Sequence, residues 1–103
     1  QPWVVEDQGY RLLAVFWFIA PGIYEAHIAM KRGDVIACRW LAYQLLKWLF
    51  AHGASCVRTN CPEGSIANLA RNLGMRETSR DEQQLHFEVS PWELVQQSEV
   101  ARY

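Results

Sequence analysis

The chain has 103 residues, the size of a single domain in which every layer of the core matters. Half of the residues are apolar and five are Trp, a composition typical of a packed globular protein and not of a disordered one. Ten basic side chains against eleven acidic ones give a formal charge of −1, and there is no long basic run. Composition therefore gives no support to a nucleic-acid partner.

Three cysteines, Cys38, Cys56 and Cys61, are spaced unlike a disulfide framework or a zinc site, and no His cluster accompanies them. A thiol nucleophile or a metal site is the alternative to small packing residues, and we favour packing and expect no bound metal. The apolar run 12–19 is too short to span a bilayer, and there is no signal-peptide pattern. We expect a soluble cytoplasmic protein that does not bind membranes.

The first part of the chain predicts a three-stranded antiparallel meander, with strands at residues 3–6, 10–20 and 24–30. A D-Q-G turn and the Pro21-Gly22 turn separate the strands. Strand 10–20 is apolar on both alternating faces apart from Arg11, so we expect both of its faces to be covered. Trp17, Trp40 and Trp48 are interpreted as core residues.

The period then becomes helical over residues 35–52, with Gly53 as the C-cap. One apolar stripe and one polar stripe are expected on this helix: Ala37, Leu41, Leu45, Trp48 and Leu49 for the first, and Arg39, Tyr43 and Lys47 for the second. A parallel strand at 55–60 would follow through a right-handed crossover. A second helix at 66–73, capped by Ser65 and Gly74, a strand at 82–90 and a short helix after Pro91 complete the chain. The predicted order is βββαβαβα, one α/β (α+β) domain over residues 1–103.

The turn Lys31-Arg32-Gly33-Asp34, between the third strand and the long helix, is the first candidate site. A helix N-terminus presents unpaired N–H groups and a favourable dipole to an anion, and the basic side chains add to this. An ordinary strand-to-helix turn with solvated charges is the alternative interpretation.

Glu25 and His27 form the second candidate site, because they lie on one face of the strand that enters this turn. Two titratable groups on an otherwise apolar strand are candidates for a general base. The alternatives are a partly solvated outer face for Glu25 and a hydrogen-bonded structural role for His27.

Together these segments resemble the GNAT superfamily of acetyl-coenzyme A-dependent N-acetyltransferases. R-G-D-V-I-A at 32–37 stands where the family has Arg/Gln-x-x-Gly-x-Gly/Ala, and H-G-A-S-C-V-R-T-N-C-P follows at the helix end and parallel strand. E-G-S-I-A-N-L-A-R-N-L-G-M is similar to the family's Asn-x-x-Ala-x-x-Leu-Tyr-x-x-x-Gly-Phe. The resemblance covers nearly the whole chain but only the family's central and C-terminal part.

The resemblance implies a GNAT-like mixed sheet in which acetyl-coenzyme A lies between two splayed parallel strands. Direct attack by an amine needs positioning, a base and donors to the oxyanion, but no protein nucleophile. The base would be Glu25 or His27, and the acceptor an amine on a small molecule or a protein. The implied cofactor-binding residues are Ile28, Ala29, Met30, Arg32, Gly33, Asp34, Val35, Ile36, Ala37 and Cys38.

The chain departs from the family pattern at several positions. Val35 replaces the first motif glycine, Glu63 stands where Asn is usual, and Ala70 replaces the Tyr that often protonates the departing thiolate. The family's first strand and two helices have no counterpart. The chain also begins at Gln1 without a Met, so an N-terminal part before Gln1 is one expectation.

A second hypothesis is a catalytically degenerate GNAT-like protein with a structural or interaction role. The segments Y-E-A-H-I, R-G, W-L-F, T-N-x-P and L-G-M are similar to compact GNAT-like proteins of tailed bacteriophages, some of them virion-associated. A missing first layer would leave apolar surface that a second copy or a virion partner could cover. The location would then be the virion.

Overall fold

The computed structural model describes the backbone of residues 3–6, 12–30 and 35–97, and the side chains within 14–29 and 37–97. The elements run in the order β1 (Trp3–Glu6), β2 (Leu12–Ala20), β3 (Ile23–Met30), α1 (Val35–Ala51), β4 (Cys56–Cys61), α2 (Ser65–Asn72), β5 (Arg76–Arg80) and β6 (Leu85–Val89). A single 3₁₀ turn, Pro91–Glu93, follows β6.

The six strands form one sheet in the order β1-β2-β3-β4-β6-β5. β1, β2 and β3 pair antiparallel, as do β4, β6 and β5, while β3 and β4 pair in parallel on either side of the α1 crossover. The predicted meander, crossover and mixed sheet are therefore confirmed. A strand–helix–strand connection of this kind brings two parallel strands together at the centre of the sheet.

Both helices pack on the same face of the sheet. Buried residues of α1 and α2 form one cluster with residues that alternate along the strands, among them Phe16, Ala26, Val57 and Phe87. The strand residues between them point to the opposite face, and these are mostly polar on β4 and β6. The sheet thus has an apolar face under the helices, and its other face is polar over β4 and β6.

The sequence interpretation missed strand β5. Its sequence, R-E-T-S-R, contains no apolar residue, and all five residues are exposed. No alternation of apolar and polar residues could indicate it, and only pairing with β6 makes it a strand. The predicted strand 82–90 is the shorter β6, and the predicted terminal helix is only the 3₁₀ turn.

The apolar stripe predicted for α1 was confirmed at Ala37 and Leu49 and was wrong in phase between them. The helix buries Ala37, Cys38, Ala42, Leu46 and Leu49, whereas Trp48 is 47% exposed and Leu41 and Leu45 are half-buried. Tyr43, expected on a polar stripe, is buried. Apolar residues surround most of this helix, so its sequence pattern does not distinguish the face that meets the sheet.

Two smaller predictions also need correction. Helix α2 begins at Ser65, and the N-cap position is Gly64, which makes no side-chain capping bond. Strand β2 is not covered on both faces, because Trp17, Phe18 and Ile19 at its end are 38%, 60% and 48% exposed. Trp17 and Trp48 are therefore not core residues, and Trp40 is half-buried.

The prediction that the cysteines are small packing residues agrees with the structure, since Cys38 and Cys61 are buried and Cys56 is half-buried. Among the described residues, no three metal-ligating side chains lie close enough together to hold an ion. Neither α1 nor α2, the α-helices of the described ranges, is long and apolar enough to cross a bilayer.

Candidate functional site

The centre of the sheet contains a gap between two parallel strands. β3 and β4 pair at Ile23–Cys56, Tyr24–Val57 and Glu25–Arg58. Among the described residues no pair joins the two strands beyond Glu25, although β3 continues to Met30 on β2 and β4 continues to Cys61 on β6. We call the space between residues 26–30 and 59–61 the gap. Backbone N–H and C=O groups that face it have no ladder partner across it, so they can pair with an extended ligand.

The gap opens toward the start of α1. Both strands run from their paired ends toward the gap, and β3 ends at Met30, shortly before α1 begins at Val35. The first turn of α1 carries no acidic side chain. The N-terminus of a helix presents backbone N–H groups and the positive end of the helix dipole, and both favour an anion.

The described members of the predicted cofactor-binding set lie on β3 and at the start of α1, on the two sides of this opening. On β3, Ile28 is half-buried against the core and Ala29 is exposed on the other face. Ala37 and Cys38 direct their side chains into the protein, at 7% and 0% exposure, which leaves their backbone groups for any ligand. Arg32, Gly33 and Asp34 lie outside the described residues, as do the side chains of Met30, Val35 and Ile36.

Glu25 lies at the closed end of the gap, on the last pair that joins β3 to β4. Its carboxylate Oε2 is 2.9 Å from His27 Nε2, and each of the two side chains is about a third exposed. A carboxylate can only accept, so His27 donates its Nε2–H to the ionised Glu25. The Trp17 and His27 rings make an edge-to-face contact, with their centroids 5.3 Å apart. The structure thus brings the two predicted titratable residues together.

A polar groove crosses the sheet on the face away from the helices, with a volume of about 340 Å³. It runs over β3, β4, β6 and β5 and is lined by Glu25, Arg58, Thr59, Asn60, Thr78, Ser79, His86, Phe87 and Glu88. In its floor Arg58 Nε donates to Glu88 Oε1 at 2.9 Å. Glu25 therefore belongs both to the gap and to this polar groove.

Two groups at the margins of the polar groove, the Asp81 carboxylate and the Cys56 thiol, have shifted pKa values. The Asp81 carboxylate accepts the N–H groups of Gln83 and Gln84, at 2.9 and 2.8 Å, and these bonds lower its pKa. The Cys56 pKa is raised, chiefly by burial and next by the charge of Glu88. A thiol with a raised pKa is a poor nucleophile at neutral pH, in agreement with the packing interpretation of the cysteines.

The sequence interpretation missed most of the polar groove, including Arg58, Asn60, His86 and Glu88. A signal existed for these four residues. In V-R-T-N-C and L-H-F-E-V the apolar or small residues alternate with polar ones, and the polar members share one sheet face. Thr78 and Ser79 come from the missed strand β5 and had no such signal.

Two of the positions that depart from the GNAT pattern, Glu63 and Ala70, have structural roles. Ala70 is buried in α2 and packs in the core, at 3% exposure. The Glu63 carboxylate forms a two-pronged pair with Arg71, whose Nη atoms lie 2.8 and 3.2 Å from its oxygens. Neither residue supplies a hydroxyl group that could act as a general acid near the gap.

Comparison with solved structures gives strong matches of the whole architecture. RimJ of Mycobacterium smegmatis, in complex with CoA-disulfide, superposes with a TM-score of 0.70 over 93% of this chain at 16% identity. The ribosomal-protein-S5-alanine acetyltransferase of Vibrio fischeri gives 0.72 over 90% at 13% identity. A spermidine N-acetyltransferase chimera of Vibrio cholerae SpeG and hSSAT gives 0.67 over 84% at 16% identity.

The chain has the fold of the GNAT acetyltransferases. It spans 55%, 62% and 66% of the lengths of these three proteins, respectively. No protein-family model matches the sequence, and no curated protein matches it either. At such low identity the likeness is one of fold, and the activity has to be argued from the site.

Proposed function

We propose that this GNAT-fold protein binds acetyl-coenzyme A in the gap and transfers the acetyl group to a primary amine. The observation that carries the proposal is the gap itself, which places an ionisable pair, Glu25 and His27, at its closed end. The wide end leads to the N-terminus of α1. A ligand with an amide-containing arm would match the unpaired strand edges of the gap, and its pyrophosphate would match the helix N-terminus.

The residues fit such a ligand by their backbone. N–H and C=O groups of residues 26–30 would pair with the amides of the pantetheine arm, as an added strand does at a sheet edge. The first-turn N–H groups of α1 would hold the pyrophosphate. Acetyl-coenzyme A supplies an activated thioester at the end of that arm.

Glu25 is the residue best placed to act as the base, since it borders both the gap and the polar groove. Its carboxylate would take the proton of an acceptor ammonium, either directly or through a water molecule. The neutral amine nitrogen would then bond to the acetyl carbonyl carbon as the C–S bond breaks, and the proton that this nitrogen must still lose would pass through water to the departing thiolate. His27 would hold Glu25 in place through the 2.9 Å hydrogen bond. Because Ala70 offers no proton, the thiolate would take one from water.

The deciding experiment is calorimetric titration of the protein with acetyl-coenzyme A, together with its Val35→Gly and Ala51→Gly variants. We expect binding, and a higher melting temperature because only the folded state binds; ligand at a hundred times Kd stabilises by about 2.7 kcal/mol. Val35→Gly should raise the affinity by letting the pyrophosphate approach the backbone. Ala51→Gly, at the exposed other end of α1, should leave the affinity unchanged.

Failure to bind or to stabilise at millimolar ligand would overturn the proposal. Binding that Val35→Gly leaves unaltered would mean that the turn has been aligned wrongly with the GNAT motif, while the proposal for the gap would stand.

A degenerate GNAT-fold protein with an interaction role is the second candidate. The end of β2 exposes three large apolar side chains, Trp17 and Ile19 on one face and Phe18 on the other, and such exposed groups are suited to a protein contact. Binding of acetyl-coenzyme A without release of free coenzyme A over a panel of amines would favour this candidate over the enzyme.

A further inference from the structure

The polar groove extends well beyond the reacting end of the gap. It starts at Glu25 on β3 and continues over β4 and β6 to Thr78 and Ser79 on β5. With neighbouring strands about 4.8 Å apart, these four strands span roughly 14 Å, the length of about four extended residues. A ligand that placed an amine at Glu25 would therefore have a tail lying across three further strands.

The charges along the polar groove indicate whether the tail of such a ligand is charged or neutral. Two carboxylates line it, Glu25 and Glu88. Glu88 is already engaged by Arg58 at 2.9 Å and approached by Arg76 at 3.9 Å. Among the described residues, Glu25 is bonded to the His27 imidazole, while Arg58, its partner on β4, is bonded to Glu88 instead, so Glu25 is the carboxylate that can receive an ammonium group.

The part of the polar groove farther from Glu25 offers polar side chains that can form hydrogen bonds. Asn60 supplies an amide, Ser79 a hydroxyl and His86 an imidazole, the last lying 3.4 Å from Asp81. The carboxylates near this part are already engaged, Glu88 by Arg58 and Asp81 by the N–H groups of Gln83 and Gln84, so a second ammonium group here would compete with existing bonds. Such a surface suits the alternating N–H and C=O groups of a peptide and disfavours a polycation.

We propose that the polar groove is the acceptor subsite and that it selects the amino terminus of a peptide, with one ammonium at Glu25 and an uncharged backbone across Asn60, His86 and Ser79. The proposal rests on the proposed function for the identity of the site as an acetyl acceptor site. The binding preference itself can be measured without any acetyl transfer.

The test is a titration with three ligands, run with and without saturating coenzyme A. They are an uncharged tetrapeptide amide with a free amino terminus, the same peptide acetylated at that terminus, and spermidine. In at least one of the two conditions, we expect the free peptide to bind at least tenfold more tightly than either of the others. Glu25→Gln should remove this preference for the free over the acetylated peptide, whereas Glu82→Gln, a carboxylate outside the polar groove, should preserve it.

The Asn60→Leu variant tests the contact of the peptide backbone separately from the contact of its ammonium group. It should weaken peptide binding several-fold and leave the binding of butylamine unchanged. If this variant does not fold, backbone NMR shifts of Ser79 and His86 in the unaltered protein report the same contact. Shifts at both residues with the peptide, and at neither with butylamine, are the expected result.

A preference for the free peptide below tenfold in both conditions, or equal binding of peptide by Asn60→Leu and the unaltered protein, would overturn the peptide proposal. So would an absence of the expected NMR shifts. Peptide binding in a protein that fails to bind acetyl-coenzyme A would instead overturn the proposed acetyl transfer and leave the polar groove as a peptide site.

Discussion

Glu93 illustrates how single side chains hold the end of the described chain against the sheet. One of its carboxylate oxygens accepts the Ser90 N–H at 2.9 Å, and the other accepts from Arg76 Nε at 3.0 Å. The hydrogen bond from Arg76 is the largest cause of its lowered pKa, followed by the Ser90 backbone bond. The 3₁₀ turn after β6 is thereby tied to β5.

This pair gives the stability of the fold a defined dependence on pH. Because the pKa of Glu93 in the folded state is below its ordinary value of 4.5, its contribution is present above that value and is lost as pH falls through the folded-state pKa. Glu93→Gln should lower the melting temperature at pH 7 and have little effect at pH 3. Thermal denaturation from pH 3 to 8 tests this, with Glu82→Gln as a control that shows no such pattern. An equal loss at every pH would contradict the assignment.

At the same scale, the sequence identified Glu25 and His27 because alternation placed them on one strand face. It did not reveal their 2.9 Å hydrogen bond or the way Trp17 meets the imidazole. Those contacts depend on rotamers and on the register of β2 against β3, which the sequence pattern does not fix.

Among the elements, the junction between α2 and β5 depends on Gly74. Its φ is +94°, in the left-handed region, and an added Cβ would run into the carbonyl oxygen of Glu93. Gly53 at the end of α1 has a similar φ of +103° but open space around a Cβ. Both glycines therefore need a positive φ, but only at Gly74 would a side chain also meet neighbouring atoms.

The difference makes a matched pair of substitutions. Gly53→Ala should cost about 1–3 kcal/mol for the unfavourable backbone conformation. Gly74→Ala should cost that amount and about 1–3 kcal/mol more, since the segment around Glu93 must move to admit the methyl group. Urea denaturation of both variants measures the difference. Equal losses would show that the C-terminal segment is not held against Gly74.

The elements also show where prediction from sequence ends. Strands β2, β3, β4 and β6 could be predicted because each carries apolar residues at a period of two or in a continuous run. β5 could not, since R-E-T-S-R is polar on both faces and is a strand only by virtue of its partner. The buried face of α1 was equally unreadable, because apolar residues lie on nearly every side of that helix.

For the molecule as a whole, the topology was accessible from the sequence and most of the polar groove was not. The crossover from β3 through α1 to β4 follows from chain order and handedness. The polar groove gathers residues from four strands that are far apart in sequence, and its far end comes from the missed β5. A site assembled across a sheet becomes visible only when the strand order is known.

The gap predicts a pattern of hydrogen exchange that extends over the sheet. Amides of residues 26–30 and 59–61 that face the gap lack cross-gap partners, so they should exchange rapidly in the free protein. Saturating acetyl-coenzyme A should slow the exchange of these amides at least about tenfold, if the ligand bonds to them. Strand β6, paired on both sides, should change little and serves as an internal control. Binding without local protection would place the ligand elsewhere.

The three pairs that join β3 to β4 also have a mechanical meaning. They connect the antiparallel half β1-β2-β3 to the antiparallel half β4-β6-β5 over a short length of strand. The angle between the two halves of the sheet therefore determines the width of the gap. Each further pair would stiffen this connection and close part of the gap. More pairing between β3 and β4 would therefore leave less space for a ligand, and a ligand bound in the gap would connect the two halves of the sheet.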